Sequence, residues 1–529
     1  VLLASDTVNV AQGAAFGGFG GTAGDVNNAG AFSLGDLSSP LTGDPQTFTV
    51  GNNLTNSGFI TLSQPGTSTA GNILQVKGDY TGNGGTLRLN TQLGDDNSLT
   101  DKIVIEGSTR GTTRVSVSNA GGHGASAING IEIISVGGSS DGEFTKQGRI
   151  VAGAYDYDLV KKGGNWYLTN NGEVPDNADN AAGGDTPFSG GDAADNAASL
   201  QPAANIRPEA KAYASNLAAA NNMFSMTLHD RLGETHYVDP FTGEEKVTSL
   251  WLRQVGGHQR SHDDSGQNNT QANRYVAQLG GDIAQWSRSG EDRYHFGVMG
   301  GYASQHSNTR NHRTGYSADG SVHGYSAGIY GTWFENNDEK TGGYVDSWAL
   351  YNRFDNGVST KDVGSESYRS GGVTASVESG YTWKTGEKND HESYYLQPQA
   401  QLTWMGVKAD DHQEANGTHV QSTGDGNLQL RLGMRAFIKS MDAKSQDGKD
   451  RVFEPFVEVN WLHNTHDFGA SLDGVNVKEA GARNVGELKT GVEAKLNDTV
   501  NLWVDVARQI GDEGYSDTRA IVGVKANFK

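Results

Sequence analysis

The sequence predicts an all-β chain in which two different β architectures are joined by a single α-helix. Near the N-terminus, a weak repeat with an offset of roughly 28 residues predicts the coils of a β-solenoid. After residue 235, long strands alternate between apolar and polar side chains, which predicts an antiparallel barrel of about twelve strands. Between them, residues 205–234 carry a helical pattern with a polar surface, and such a helix suits the lumen of a barrel.

The composition argues against several classes of protein and partner. The 529 residues include 74 Gly, 10 Pro and 35% hydrophobic residues, a composition that is ordinary for turn-rich β proteins. A net charge of −21 argues against nucleic acid as a partner, because an acidic chain repels phosphate. The absence of cysteine excludes disulfides and thiol chemistry. No run of about 18 apolar residues predicts a transmembrane helix, and the opening VLLASDTVNV lacks signal-peptide features, so we expect the chain to begin inside a longer precursor.

The repeat lies in the first 76 residues. The segments VNNAGAFSL (26–34) and LTNSGFITL (54–62) share an apolar residue, an Asn, a Gly and then a short strand, as one coil stacked on the next requires. Farther along, Asn83 and Gly84 predict a hairpin turn, because both residue types adopt positive φ readily. Residues 171–205 are rich in Gly, Ala and Asp and predict a disordered linker.

Residues 206–234 predict one uninterrupted helix. Pro208 suits the first helical position, Glu209 favours the positive end of the helix dipole, and Gly233 is placed as a C-terminal cap. An apolar stripe recurs at intervals of four and seven, formed by Tyr213, Leu217, Phe224, Leu228 and Leu232. About 25 helical residues span roughly 38 Å, somewhat more than the hydrocarbon core of a bilayer. We therefore expect this polar helix to thread a pore rather than to contact lipid.

The predicted barrel strands begin near residue 247 and end near residue 528. In YYLQPQAQLTW (394–404) one face is apolar, whereas the other carries Gln397, Gln399 and Gln401. The same alternation puts Glu454, Glu458 and Asp505 on polar faces, and we expect these six side chains to face the lumen and contact the helix. A soluble β-sandwich can also alternate, but aromatic residues near the strand ends favour a membrane barrel. Two strand prolines, at 398 and 455, fit a closed barrel less well, because it has no edge to accommodate a missing donor.

Several long segments carry a family resemblance. The segments GDYTGNGGTLRLNTQLGDDNSLTDKIVIEGSTRGTTRVSVSNAGG, GIEIISVGGSSDGEFT, VAGAYDYDLVKKGGNWYL, NLAAANNMFSMTLHDR and VGVKANF resemble monomeric (type Va) autotransporters of Gram-negative bacteria, most closely the diffuse-adherence adhesin branch. The resemblance covers essentially the whole chain. It implies C-terminal coils of a parallel β-helical passenger in 1–76, an autochaperone cap in 77–170, a pore-spanning helix in 206–234 and a transmembrane translocator barrel in 235–529.

The resemblance also implies a function and roles for single residues. The barrel would insert in the outer membrane, export its own passenger, an adhesin or autoaggregation factor, and leave residues 1–170 on the cell surface. The implied residues are Tyr80, Trp166 and Tyr167 in the autochaperone, Tyr213, Leu217, Asn221, Asn222, Phe224, Leu228 and Arg231 in the pore helix, and Gly523, Val524 and Phe528 in the barrel-assembly signal. Family barrels typically end on an aromatic residue, so either Phe528 is that signal or further residues follow Lys529.

The implied partners are outer-membrane lipid and lipopolysaccharide, the barrel-assembly machinery and periplasmic chaperones during biogenesis, and host-cell surfaces or passengers on sister cells. No cofactor is expected, and the chain is expected to be a monomer. Two other functions remain open. The same translocator could carry an enzymatic passenger, a protease or an esterase, upstream of residue 1, or the chain could be a porin plugged by its helix.

Catalytic and metal sites are weighed against simpler interpretations. Serine-protease autotransporters cut themselves at paired asparagines by side-chain attack on the backbone, but in the adhesin branch Asn221 and Asn222 are expected to form a polar helix face. The group His258, His262, Asp263 and Asp264 is expected to be a solvated loop rather than a metal site. The acidic stretch around Asp95, Asp96 and Asp101 lacks the full pattern of a calcium loop and is expected to be a turn.

Overall fold

The computed structural model describes residues 2–35, 44–171, 204–232, 249–336, 341–360, 362–389, 391–442, 451–497 and 499–527. These residues form a parallel β-helix, two helices and a closed antiparallel barrel, in that order. Among them, no helix is both long and apolar enough to cross a bilayer.

The β-helix stacks short strands coil upon coil. Its strands β1 to β18 are, in order, Leu2–Leu3, Thr7–Val10, Ala15–Gly18, Gly20–Thr22, Asp25–Asn28, Ala31–Leu34, Thr47–Val50, Leu54–Asn56, Phe59–Thr61, Ile73–Val76, Tyr80–Thr91, Lys102–Ile105, Thr109–Asn119, Ile131–Val136, Glu143–Lys146, Ile150–Ala152, Tyr155–Lys162 and Asn165–Thr169. Parallel pairing puts Val26 beside Leu54 and Asn28 beside Asn56, 28 residues apart. This is the offset that the repeat predicts.

The core of the β-helix is a column of apolar side chains that point into the coil. Val26, Leu54, Leu74 and Ile103 are fully buried. A polar ladder runs beside this column, where Asn28 Nδ2 donates to Asn56 Oδ1 at 2.9 Å. A parallel coil superposes equivalent positions, which brings these two Asn side chains together, whereas Gly82 takes the corresponding position in the following coil.

The hairpin predicted at Asn83 and Gly84 is wrong. Strand β11 runs on through both residues, and its parallel pairing with β13 shifts register between Asn83 and Gly85. Gly84 has φ +76°, so the positive φ that suggested a turn instead makes a β-bulge. A bulge bends the strand without reversing it, which lets β11 pair with β8 before the bend and with β9 after it.

Antiparallel strands end the stack. Strand β18 pairs antiparallel with both β14 and β17, and β17 pairs antiparallel with β16. Trp166 on β18 lies over the end of the core and is 6% exposed. This arrangement caps the apolar column at its C-terminal end.

Most of the predicted linker, residues 172–203, lies outside the described residues. Residues 204–232 contain two helices, so the prediction of one uninterrupted helix over 206–234 needs correction. Helix α1 spans Pro208–Asn222 and helix α2 spans Leu228–Leu232. Between them, the Met226 carbonyl accepts hydrogen bonds from Trp348 Nε1 (3.1 Å) and Gln401 Nε2 (2.8 Å) of the barrel. Barrel donors therefore replace the helical hydrogen bond at this carbonyl. The predicted cap Gly233 lies outside the described residues.

The barrel wall has twelve strands, as predicted. Strands β19 to β35 are Ser249–Asp263, Asn268–Trp286, Arg293–Asn311, Ser317–Phe334, Gly342–Thr360, Gly364–Asn389, Glu392–Met405, Lys408–Ala409, His412–Gln413, His419–Thr423, Asn427–Asp442, Arg451–Asn464, Gly469–Leu472, Val475–Ala480, Asn484–Lys495, Val500–Ile510 and Ser516–Asn527. The wall consists of β19–β25, β29, β30 and β33–β35, and β19 pairs with β35 to close it. Strands β26–β28, β31 and β32 belong to the two longest connections at one end, which we call the extracellular loops.

The wall buries its polar face and exposes its apolar face. In β25, Gln397, Gln399 and Gln401 are buried, whereas Leu402 and Trp404 are 47% and 43% exposed. Both strand prolines lie where one of the two flanking ladders is interrupted: pairing of β25 with β24 skips Pro398, and pairing of β30 with β29 skips Pro455. A closed barrel therefore accommodates a residue without an N–H donor by a local gap in pairing.

Candidate functional site: the pore and its mouth

Helix α1 fills the lumen although much of its surface is polar. Residues 208–221 are all buried. Lys211 Nζ donates to Ser261 Oγ of the wall at 2.9 Å, and Asn216 Nδ2 donates to the Gly357 carbonyl at 3.1 Å. Buried polar groups are costly unless they are paired, so these contacts are what allow a polar helix to lie in the barrel.

The apolar stripe predicted for the helix contacts several parts of the lumen. Leu217 packs in a cluster with Met405 and Phe468, and the ring of Phe224 stacks on that of Phe354 with centroids 5.7 Å apart. Leu228 packs on Tyr344. The stripe therefore meets apolar patches within an otherwise polar lumen.

Helix α2 is held by ion pairs with the wall. Arg231 pairs with Asp346 and lies over the ring of Tyr330, 4.1 Å from its centroid. Asp230 accepts from Lys489 Nζ at 2.6 Å. All four charged groups are almost fully buried, so removal of one partner leaves an unpaired charge in a low-dielectric site.

The six side chains predicted to face the lumen are all buried on the inner face. Gln397 accepts from His229 of α2 at 2.7 Å, and Gln401 donates to the Met226 carbonyl, so these two contact the helical segment. Gln399 accepts from Tyr344 Oη at 3.4 Å, and Glu458 pairs with two wall arginines. Glu454 and Asp505 are 3% and 4% exposed.

Those arginines are the part of the lumen that sequence reasoning missed. Arg431 lies 3.3 Å from Glu378 and 3.5 Å from Glu458, and Arg435 lies 2.8 Å from Glu493. The signal was present in NLQLRLGMRAF, because both arginines alternate with the lipid-facing Leu432 and Met434. A polar cavity of about 120 Å³ remains beside the helices, with room for several water molecules.

A second charged cluster closes the mouth of the pore at the N-terminus of α1. Arg207 pairs with Glu414 of an extracellular loop, and Glu414 accepts from Tyr213 Oη at 3.1 Å. Glu209 pairs with Arg149 of the β-helix at 2.5 Å. Arg149 also contacts Asp156 at 2.9 Å. We call Arg149, Asp156, Arg207, Glu209 and Glu414 the mouth cluster.

The mouth cluster perturbs the titration of its members. Burial raises the pKa of Asp156 to about 6, although the neighbouring Arg149 charge acts in the opposite direction. Burial also raises the pKa of Glu414, again against the charge of Arg207. Each carboxylate thus depends on an arginine partner to remain ionised in a dry site.

The side-chain amides of the paired asparagines are both hydrogen-bonded within the pore. Asn221 Nδ2 donates to the carbonyls of Leu217 and Val407, each at 3.0 Å, and Asn221 Oδ1 accepts from Val407 N at 2.9 Å. Asn222 Nδ2 donates to the Ala218 carbonyl at 2.8 Å. Each side-chain nitrogen thus donates to a carbonyl of the preceding helical turn.

The predicted autochaperone residues divide into core and surface. Tyr80 is buried and stacks on Phe144, and Phe144 meets Trp166 edge to face with centroids 5.4 Å apart. Tyr167 instead points outward and donates from Oη to Glu132 at 2.9 Å. Tyr80 and Trp166 are thus two parts of one aromatic stack that ends the core.

Of the residues predicted as an assembly signal, Gly523 and Val524 lie on the closing strand β35, and Phe528 lies outside the described residues. Val524 points to the lipid side. Gly523 lies under Trp503, and an added Cβ would come within 2.0 Å of that ring. Gly523 therefore allows close packing on the inner face of the closing strand.

The remaining predicted positions take ordinary roles. His258 Nδ1 contacts Asn273 at 2.7 Å, and His262 contacts Asn269, both across the β19–β20 ladder. Asp101 accepts from Ser63, Asn72 and Asn90 within the β-helix. Within the described ranges, no group of three His, Cys, Asp or Glu side chains is placed to hold a metal ion.

Comparison with known proteins assigns two parts of the chain. Residues 250–507 match the family described as Autotransporter beta-domain. Residues 49–159 match the family Autochaperone Domain Type 1, which begins upstream of the predicted boundary at residue 77.

Three curated relatives from Escherichia coli are similar over most of the chain. YuaQ of strain K12 is 48% identical over all of this chain and 36% of its own length, and YdeU of the same strain is 51% identical over 87% of this chain and 98% of its own. The autotransporter adhesin AIDA-I is 37% identical over 88% of this chain. This chain thus spans only about a third of YuaQ and of AIDA-I, at 36% and 35% of their lengths.

A solved structure shares the barrel. The crystal structure of the transport unit of AIDA-I from Escherichia coli superposes with a TM-score of 0.55 at 35% identity, and the match covers 61% of this chain and all of that one.

Proposed function

The chain belongs to the autotransporter family, and we propose on that premise that its barrel exports residues 1–171 through the pore and then holds them at the cell surface. Autotransporter barrels are outer-membrane proteins, and the apolar outer face of this barrel suits that location. The observation that carries the proposal is helix α1, whose polar surface is buried in the lumen between an upstream β-helix and the wall. A chain that has passed through its own barrel would end in this topology.

The upstream passenger is proposed to be an adhesin or an autoaggregation factor that contacts host cells or sister cells. The similarity to the autotransporter adhesin AIDA-I supports this assignment. The chain itself is proposed to be non-enzymatic, because the amides of Asn221 and Asn222 are engaged away from their own carbonyls. An enzymatic passenger upstream is the competing proposal, and a catalytic motif in that region would decide for it.

Export would be driven by folding outside the cell. Each coil that folds buries apolar surface, which opposes backward sliding of the chain, and the capped C-terminal coils would serve as the template for the rest. Replacement of Trp166 by Ala should lower the amount of folded β-helix on the cell surface several-fold, because the apolar core loses the side chain that covers its C-terminal end. Tyr167→Ala is the matched control, since Tyr167 points outward, and it should leave surface display unchanged.

Assembly would use periplasmic chaperones and the barrel-assembly machinery, with Gly523, Val524 and Phe528 in the recognised last strand. The mature chain is proposed to be a monomer in contact with lipopolysaccharide, because a closed wall leaves no free strand edge for a second copy.

The export proposal is tested on intact cells. The chain is expressed with a signal peptide and with an epitope before Val1, and intact Gram-negative cells are treated with protease. Loss of the epitope together with survival of a fragment the size of the barrel is the expected result. An epitope that disappears only after cell lysis would contradict export and would favour a porin that is plugged by its helix.

A further inference from the structure

Residues on both sides of the linker form a contact surface between the end of the β-helix and the mouth of the barrel. Arg149, on the β-helix side, is 2% exposed in its side chain and contacts carboxylates on two separate parts of the chain. Its Nη2 lies 2.9 Å from both carboxylate oxygens of Asp156 within the cap, and Nη1 donates to Glu209 of helix α1 at 2.5 Å. A guanidinium shared in this way joins the cap to the helix that fills the pore.

The backbone reinforces this joint. Residues 204–207, which lead into α1, run along the cap as an added strand segment, with isolated bridges from Ala204 to Asn171 and from Ile206 to Tyr155. Asp156 N donates to the Asn205 carbonyl at 3.1 Å, and Arg207 N donates to the Ala154 carbonyl at 2.9 Å. Main-chain pairing of this kind gives affinity with little dependence on sequence, so the ion pair supplies the specificity.

Further contacts join the cap directly to connections between barrel strands. Lys146 of the cap donates to Tyr316 Oη, and the ring of Tyr316 lies 4.5 Å below the guanidinium carbon of Arg149. His123 Nδ1 lies 3.3 Å from Asp473 Oδ2. The cap therefore touches the helix, the β21–β22 connection at Tyr316 and the extracellular loop that contains Asp473.

The charges on the two sides are complementary. On the barrel side, Arg207 is outnumbered by Glu209 and Glu414, so this part of the mouth cluster has an excess negative charge while it is buried. Arg149 of the cap is shared between Asp156 and Glu209, so it adds a cation to this acidic surface although the complete cluster keeps one more carboxylate than arginine. Without the cap, the cationic partner of Glu209 is Arg207 at 3.8 Å, and docking adds a second partner at 2.5 Å.

We propose that the end cap of the β-helix is the docking partner of the pore mouth, and that the Arg149–Glu209 pair fixes the chain once residues 149–209 have emerged. The pair can form only outside the membrane, because Arg149 must fold back onto a helix turn that follows it by 60 residues. Docking is thus the last contact to form during export, and it holds the exported, folded passenger against the barrel. This inference rests on the export function proposed above.

Photocrosslinking on intact cells tests the docking. A benzoyl-phenylalanine replaces His123, which is 78% exposed in its side chain and adjacent to Asp473, and a site for a specific protease is inserted between residues 171 and 204. After irradiation and cleavage, a docked chain gives one covalently joined band that survives boiling. The matched control carries the same group at Asn27, an exposed position on an early coil, and should give two separate fragments.

Substitutions then identify the pair that carries the docking. Arg149→Gln and Glu209→Gln should each lower the crosslinked fraction at least about tenfold, because each removes the charge-assisted hydrogen bonds that join the cap to helix α1. The double variant should resemble either single variant, since the two residues act as one unit. Asp156→Asn should lower crosslinking less than Glu209→Gln, because Asp156 lies on the same side of the interface as Arg149.

The outcomes are distinguishable from failure of export. Surface exposure of an N-terminal epitope reports export, and fast migration of the unheated barrel on gels reports a folded barrel. Exported chain that does not crosslink at His123, or that crosslinks equally well after Glu209→Gln, would overturn the docking proposal while leaving export intact. Absence of the epitope from the surface would instead count against the export function.

Discussion

The β-helix and the barrel are both built from alternating strands, yet they bury opposite faces. In the β-helix the apolar face points inward, and Leu74 is fully buried. In the barrel the polar face points inward, and Leu402 on the outer face is 47% exposed within the chain. The comparison shows that alternation specifies two faces but not which one is internal, because the surroundings decide: water encloses the β-helix, whereas lipid encloses the barrel wall.

The two regions also stabilise their interiors differently. The β-helix interior is held by apolar contacts that need no particular partner, with Asn ladders at the turns. The barrel interior is held by charge pairs, each of which needs one particular partner, such as Arg435 with Glu493. We therefore expect single substitutions to act through cavities in the first region and through unpaired charges in the second.

The largest effect is expected for Arg435→Leu in the lumen. This change removes the arginine partner of Glu493 and one of the two arginine partners of Glu458, and it should destabilise the barrel by about 3–5 kcal/mol. Samples are heated to a series of temperatures before electrophoresis, and the measurement is the temperature at which the fast-migrating band of the folded barrel disappears. Arg353→Leu, on the exposed face of β23, is the control. Equal losses of barrel stability in the two variants would show that ion pairs in the lumen stabilise the barrel no more than an arginine on its outer face.

A somewhat smaller effect is expected for Leu74→Ala in the β-helix core. The cavity should destabilise the β-helix by about 2–5 kcal/mol, as measured by pulse proteolysis of the full chain across a urea gradient. Leu402→Ala makes the same chemical change on the lipid-facing side, where no enclosed cavity forms, and should leave the β-helix midpoint unchanged. If it lowered that midpoint as well, the two regions would not unfold independently.

The Asn ladder should contribute less. Asn56→Ala removes the oxygen that accepts from Asn28 Nδ2 and from Gly58 N and should cost about 1–3 kcal/mol, because these buried donors lose a hydrogen bond. Asn27→Ala breaks a comparable bond, to Asn9, on the exposed face and should change the urea midpoint by less than about 0.5 kcal/mol. Equal effects of the two substitutions would show that the Asn hydrogen bonds stabilise the β-helix through its turns and not because they are buried.

The smallest effect is a pH dependence at the cap. The pKa of Asp156, facing Arg149, Arg207 and Glu209, is about 6 in the folded chain and thus above its ordinary value of 3.8. Between these values the folded chain binds more protons than the unfolded chain, so the β-helix gains stability as the pH falls from 7 to 5, and loses it as the pH rises through 6. The urea midpoint should rise accordingly, and Asp156→Asn should abolish the rise; an unchanged pH dependence in that variant would assign it to another group.

Much of this architecture was readable from local patterns. The repeat offset set the coil length because parallel stacking superposes equivalent residues, as at Asn28 and Asn56. The alternation around Gln399 set the inner face of the wall because side chains reverse direction at each residue. The family resemblance added the assignment of autochaperone and translocator, which the comparisons confirm.

The sequence by itself determined the strands, their faces and the presence of a polar helical segment, since each of these follows from the spacing of neighbouring residues. Only the tertiary structure decided that Asn83 and Gly84 form a bulge and that the segment breaks around Met226, because both depend on strands and donors distant in the chain. The same holds for the partners of Arg149. A guanidinium can pair with any of the 62 acidic residues, and the fold alone brings Glu209 to it.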